Sequence, residues 1–117
     1  VTFGNGVPMS LRATTELAEE GISTTVLELQ WLSPLPREEL LRIAVDFSRV
    51  LVVDETRESG GVSESVVTAL IDGGYEGTIR RVTSVASFIP LGPAADHVLL
   101  SESDIVGAAR ALVTETI

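Results

Sequence analysis

Cysteine and lysine are absent from this chain, histidine and tryptophan occur once each, and aromatic residues make up only 4% of it. Without cysteine there can be no disulfides, thiolate nucleophiles or thiolate metal sites, and the usage fits a reducing compartment. Without lysine there is no Schiff-base or phosphate-binding lysine, and all eight positive charges are arginines. Positive charge is scarce, leaving a net charge of -9. That balance argues against general affinity for nucleic acid or an anionic membrane, both of which need a positive surface, while it suits a basic protein partner. No apolar run approaches the roughly eighteen residues of a membrane-spanning helix, and no basic region followed by an apolar run marks a signal peptide. A cytoplasmic location is therefore the expectation. The first residue is Val1 rather than Met, as expected of a piece processed or excised from a longer chain.

Hydrophobic residues are 44% and charged residues 21% of 117 positions, with Gly 10 and Pro 5. These values predict one compact soluble domain over residues 1–117, too short for two well-buried cores. The pattern is organised around Arg49-Val50-Leu51-Val52-Val53-Asp54-Glu55, an apolar run ending in two carboxylates, followed by Thr56-Arg57-Glu58-Ser59-Gly60-Gly61. A helical pattern then begins at Val62. This order predicts a buried parallel strand, a loop at its carboxyl end and a crossover helix. In open α/β sheets that end is where ligands and partner domains are met.

The remaining elements follow in chain order. Val1-Thr2-Phe3 predicts a first strand that stops at the turn Gly4-Asn5-Gly6. An amphipathic helix carries Leu11, Leu17 and Ala18, with Ala13 and Thr14 between them, and ends at Gly21. Ser23 to Gln30 predicts a second strand. Pro36 can open a helix whose apolar stripe is Leu40, Ile43, Ala44 and Phe47. After the central strand, a helix bears Val62, Val66, Ala69 and Leu70 and ends at Asp72-Gly73-Gly74. Thr78 to Thr83 predicts a short strand, and its two arginines place it near a sheet edge. Ser84 to Leu100 predicts a loop with a short turn near Pro93 to Asp96. Ser101 and Asp104 form a helix-start signature before the stripe Ile105, Ala109, Leu112 and Val113. The alternation predicts a three-layer α/β/α sandwich with a mainly parallel sheet.

The chemical inventory is thin. The glycine-bearing first loop reads as a tight βα turn, since neither G-x-G-x-x-G nor a Walker motif is present. His97 reads as a surface or satisfied histidine ahead of a catalytic one, and no triad or G-x-S-x-G can be assembled. Trp31 reads as a ring covering the end of the core, with an interface position as the alternative. Asp54 and Glu55 are consecutive in a strand, so they point to opposite faces and do not make a carboxylate dyad. One is expected to cap the neighbouring helix or loop, and the other to face the crevice. No catalytic, cofactor-binding or metal residue is assigned.

Several stretches nevertheless carry a likeness. Val1-Thr2-Phe3-Gly4-Asn5-Gly6, Leu32-Ser33-Pro34-Leu35, Val52-Val53-Asp54-Glu55, and Gly60-Gly61 with Ser63-Glu64 occur in an order that resembles the C-terminal domain of transketolase-like thiamine-diphosphate enzymes. The likeness looks strongest to the β component, or β-like half of a fused chain, of the E1 of 2-oxoacid dehydrogenase complexes, and it runs from Val1 to about Val113. It implies a family sheet whose antiparallel first strand would precede Val1 and be missing here, leaving the order 2-1-3-4. The resemblance would set Gly4-Asn5-Gly6 beside Glu55 to Gly61, making Asn5, Glu55, Arg57, Gly60 and Gly61 a possible interface or channel edge. It further implies a noncatalytic assembly domain that binds no cofactor itself, the full enzyme using thiamine diphosphate and Mg; the family's G-D-G cofactor segment is absent here. Implied partners are the remaining E1 domains or an E1 α subunit, and the subunit-binding domain of an E2 acyltransferase, within a dimeric or heterotetrameric enzyme. The alternatives are a transketolase or 1-deoxyxylulose-5-phosphate synthase type of C-terminal domain, and a stand-alone α/β enzyme or binding module.

Overall fold

The central run becomes strand β1, Arg49–Arg57, in a computed structural model that describes residues 1–84, 92 and 99–115. Its side chains divide by parity, as a strand requires. Val50 and Val52 pack with Leu29, Leu40, Ala44, Val66, Ala69 and Leu70. On the opposite face Val53 packs with Ala13, Leu17, Leu100, Ile105, Val106 and Ala109. A strand buried on both faces has no solvent side, which is why its sequence is continuously apolar rather than alternating.

β1 pairs in parallel with β2, Thr78–Ser84, in the register Arg49↔Thr78 through Asp54↔Thr83, followed by an irregularity before Arg57↔Ser84. On its other side Val1 donates to Leu51 O at 2.8 Å and accepts from the Val53 N–H at 2.8 Å. Thr2 in turn bonds Leu27 O and the Leu29 N–H at 2.9 and 2.8 Å. The hydrogen-bonded order is therefore the expected 2-1-3-4. The first two members are shorter than the sequence predicts: regular pairing there is a single parallel bridge, Thr2↔Glu28. Ser23 to Val26 make no backbone–backbone hydrogen bond among the described residues.

Helix α1, Gly6–Glu19, and helix α4, Glu102–Thr114, cover one face, while α2, Arg37–Ala44, and α3, Val62–Asp72, cover the other. The layering is α/β/α. The buried stripe of α1 is Gly6, Ser10, Ala13 and Leu17. Leu11, expected to face inward, is 52% exposed, because the small residues of that stripe are what meet the sheet and α4. Phe47, expected on the α2 stripe, is 41% exposed, since the helix stops at Ala44 before a further turn can carry it inward. Val106 rather than Val113 completes the buried side of α4. Its start is as expected: the Ser101 hydroxyl accepts from the Asp104 N–H, and the Asp104 carboxylate accepts from the Ser101 N–H, at 3.2 and 2.9 Å. Trp31 is 70% exposed and does not cover the core. The expected turn near Pro93 to Asp96, Ile89-Pro90 and His97 lie outside the described residues. Among the described residues no helix is long and apolar enough to cross a membrane.

Across the α1–α4 layer, Arg110 holds Glu20 through two hydrogen bonds of 2.8 and 2.9 Å, which keeps the Glu20 carboxyl below its ordinary range. Gly6 sits where the chain turns from the Val1–Phe3 segment into α1, and a Cβ there would collide with Thr2 Oγ1. That hydroxyl is buried and donates to Val53 O at 3.0 Å. Gly6→Ala is therefore expected to lower unfolding stability by about 1–3 kcal/mol, measured by urea denaturation. Gly107→Ala is the control, because a Cβ at that helical position meets nothing; it should be neutral or stabilising by up to about 1 kcal/mol. Burial also pushes the Val1 amine down from 8.0 to about 6 in a polypeptide that starts at Val1. The unfolded amine binds more protons between those values, so stability should rise from pH 6 to pH 8 and be fully present above that window. Acetylating the amine should flatten that rise in chemical-denaturation curves.

Candidate functional site

At the carboxyl end of β1, the paired carboxylates separate as strand geometry demands. Asp54 is fully buried and accepts three hydrogen bonds: from the Thr56 N–H at 2.8 Å, the Thr56 hydroxyl at 2.6 Å and the Ser63 N–H at 2.7 Å. The last of these fills the place of a cap on α3, whose own N-cap residue, Gly61, has no side chain to do so. A carboxylate at a helix N-terminus is stabilised by the free N–H groups there. One side chain thus pins both ends of the connection from strand to helix.

Glu55 turns the other way and is half-buried. Asn5, at the N-cap of α1, donates from Nδ2 to Glu55 Oε1 at 3.4 Å, a long bond that leaves the carboxylate mostly free to meet other donors. The Glu55 carbonyl accepts from the Ser84 hydroxyl, which itself accepts from the Leu100 N–H at 2.9 Å. Arg57 ends β1 opposite Ser84. Gly60 has φ +76°, a left-handed conformation open to Gly at little cost, and Gly61 is the extended residue just before α3. Asn5 and Glu55 therefore meet directly, whereas Gly60 and Gly61 shape the loop beside them.

Arg81 belongs to the same edge, and sequence reasoning missed it. Its Nη1 donates to Glu58 O at 2.7 Å and to Ser63 Oγ at 3.1 Å, tying β2 to the loop and to α3. Arg80 instead leaves the sheet to pair with Glu115 at 2.7 Å. Two adjacent arginines on an edge strand point to opposite faces, and that alternation was the signal that could have separated them.

The donors at this edge do not fit a magnesium-diphosphate group. Asp54 has its oxygens engaged, and among the described residues no three His, Cys, Asp or Glu side chains group as metal ligands. What the arrangement offers is a firmly held loop border with an accessible carboxylate and amide. The Tyr75 phenol, raised above its ordinary value by burial, donates to Phe47 O at the other end of β1 and takes no part here. Removing the Asp54 carboxylate should expose how much of the border depends on it. Asp54→Ala leaves the buried Ser63 N–H and the partly buried Thr56 N–H without their acceptor and is expected to cost about 2–3 kcal/mol. Equilibrium unfolding measures that loss, and amide exchange at Thr56 and Ser63 should accelerate with it.

The model of the transketolase C-terminal domain matches residues 1–105. The pyruvate dehydrogenase E1 component subunit beta of Bacillus subtilis (strain 168) is 29% identical over 113 residues, which cover 94% of this chain and 35% of that protein. The 1-deoxy-D-xylulose-5-phosphate synthase of Gloeobacter violaceus is 40% identical over 82 residues, covering 70% of this chain and 13% of that protein. A solved split-gene transketolase, described as an inactive β4 tetramer, superposes with a TM-score of 0.83 at 25% identity, over 97% of this chain and 38% of that one. The chain thus spans about a third or less of the length of these curated relatives. With a family model covering most of its length and a matching α/β/α fold, the chain belongs to the family of transketolase C-terminal domains.

Proposed function

We propose that this domain is a noncatalytic assembly unit of a thiamine-diphosphate enzyme of the transketolase or 1-deoxy-D-xylulose-5-phosphate synthase type. Its carboxyl-end border would be presented to cofactor-binding domains elsewhere in the enzyme. The observation that carries this reading is the contrast at that border: Asp54 is spent on structure, while Glu55 is held out beside Asn5 by one long hydrogen bond. A border built this way can position and contact, but it supplies no reacting pair at hydrogen-bond distance. Thiamine diphosphate and magnesium would be bound by the other domains, where the cofactor supplies the carbanion chemistry.

A second reading, the E1 β component of a 2-oxoacid dehydrogenase, is supported by the 29% identity to a pyruvate dehydrogenase β subunit across 94% of the chain. In that enzyme the partners would be an E1 α subunit and the subunit-binding domain of E2. The net charge of -9 suits a basic surface on the latter.

The isolated chain, supplied with thiamine diphosphate and magnesium, is expected to show no decarboxylation or ketol transfer; turnover surviving contamination controls would overturn the assembly reading. In the complete enzyme, Glu55→Ala and Arg57→Ala should weaken association between this domain and its neighbours by roughly tenfold, the scale of a lost polar contact at an interface. Thermal unfolding of the separate domain should stay nearly unchanged in the Glu55→Ala variant. Assaying the complete enzyme for synthase activity, ketol transfer and reductive acylation of lipoyl groups separates the two readings.

A further inference from the structure

The register between β1 and β2 breaks at the carboxyl-end border. Asp54 pairs with Thr83 and the following pair is Arg57 with Ser84, so Glu55 and Thr56 have no partner in the ladder. Breaks of this kind re-aim a side chain and are over-represented beside functional sites. Here the main chain turns as well. Leu51 O, Val53 N–H and Val53 O all face the Val1–Phe3 segment. Alternate residues of a strand direct these groups to the same neighbour, so a regular β1 would send Glu55 C=O that way too. It accepts instead from the Ser84 hydroxyl, on the β2 side.

The peptide unit between Glu55 and Thr56 is thereby held at both ends by side chains. Its C=O takes the Ser84 hydroxyl, and its N–H donates to Asp54 Oδ1 at 2.8 Å. Each of these side chains is anchored in turn. Asp54 accepts from the Ser63 N–H of α3 at 2.7 Å. Ser84, only 4% exposed, accepts at 2.9 Å from the N–H of Leu100, the residue before the cap of α4. The ladder fixes the backbone before Glu55 and this clamp fixes it after, which sets the direction of its Cα–Cβ bond. Among the described residues only the 3.4 Å hydrogen bond from Asn5 reaches the carboxylate, too long to hold it unaided.

We propose that Ser84 is a positioning residue for Glu55: its buried hydroxyl turns the Glu55–Thr56 peptide out of the ladder and so aims the carboxylate out of the border. The inference rests on the reading of that border as an assembly contact, and it adds a residue of β2 too buried to touch a partner itself. Removing the hydroxyl takes the donor from Glu55 C=O and the acceptor from Leu100 N–H, which frees the peptide to swing.

Ser84→Ala, Ser84→Thr and Thr83→Val test it. Thr83 supplies the control, since its hydroxyl donates to Ser84 O at 3.1 Å and lies outside the clamp. In amide hydrogen exchange, Ser84→Ala should speed Thr56 and Leu100 by roughly tenfold, the scale of a small local opening. Ser63, held by the other Asp54 oxygen, should keep its rate. Ser84→Thr keeps the hydroxyl and should restore slow exchange at Thr56, and Thr83→Val should leave it unchanged. Unchanged Thr56 exchange in Ser84→Ala overturns the proposal, and so does equal acceleration of Thr56 and Ser63, which marks a general loosening of β1. In the complete enzyme, association of this domain with its neighbours supplies a double-mutant cycle. Ser84→Ala alone should weaken association by roughly threefold to tenfold, the range of coupled neighbours, and add nothing beside Glu55→Ala. A Ser84→Ala effect that persists in full beside Glu55→Ala overturns the proposal. Unchanged association in Glu55→Ala overturns the assembly reading of the border instead, and the exchange pattern still upholds or overturns the positioning role.

Discussion

β1 has no solvent face, and the rest of the architecture follows from having to cover it twice. Val50 and Val52 need one apolar layer and Val53 needs another, so helices must lie on both sides. Each fully buried valine or leucine contributes about 1.5–3 kcal/mol relative to exposure. Val52, Val66 and Leu70 meet on one side under that condition, all essentially inaccessible to water. Parallel neighbours require long crossovers, and the crossover after β1 is α3. The covering layers leave the loops at the two strand ends as the parts of the sheet that a partner can reach.

The two ends are finished differently. At the carboxyl end a buried carboxylate organises the turn: Asp54 takes N–H groups from Thr56 and Ser63, and Arg81 closes the loop from β2 by bonding Glu58 O. That leaves Glu55 and Asn5 at the border. At the amino end a phenol does the joining: Tyr75 donates to Phe47 O, tying the turn after α3 to the turn after α2.

Elements with local punctuation were legible from the chain. The Ser101–Asp104 capping box, the Pro36 and Gly61 starts, and the apolar run of β1 each carry their signal within a few residues. Separation of Asp54 from Glu55 followed from strand periodicity. Leu11 and Phe47 were misplaced because a hydrophobic stripe says which residues share a face, not where the helix stops or which face the sheet will accept. Trp31 failed similarly, since its exposure depends on the path after Gln30. Arg81 was missed because its acceptors, Glu58 O and Ser63 Oγ, lie far from it in sequence.

Periodicity and composition by themselves determined the class of the domain, the buried central strand and the exclusion of thiol and lysine chemistry. Those properties depend on residue type and on neighbours a few positions away. Family likeness, also present in the chain, supplied the sheet order. The likeness set the loops of Asn5 and Glu55 side by side, but only the tertiary structure decided that Asn5 donates to Glu55 itself, that Asp54 is spent on α3, and that the first two strands pair over so short a stretch. Each of these joins groups distant in sequence, at distances of a few ångströms set by how the helices settle on the two faces of β1.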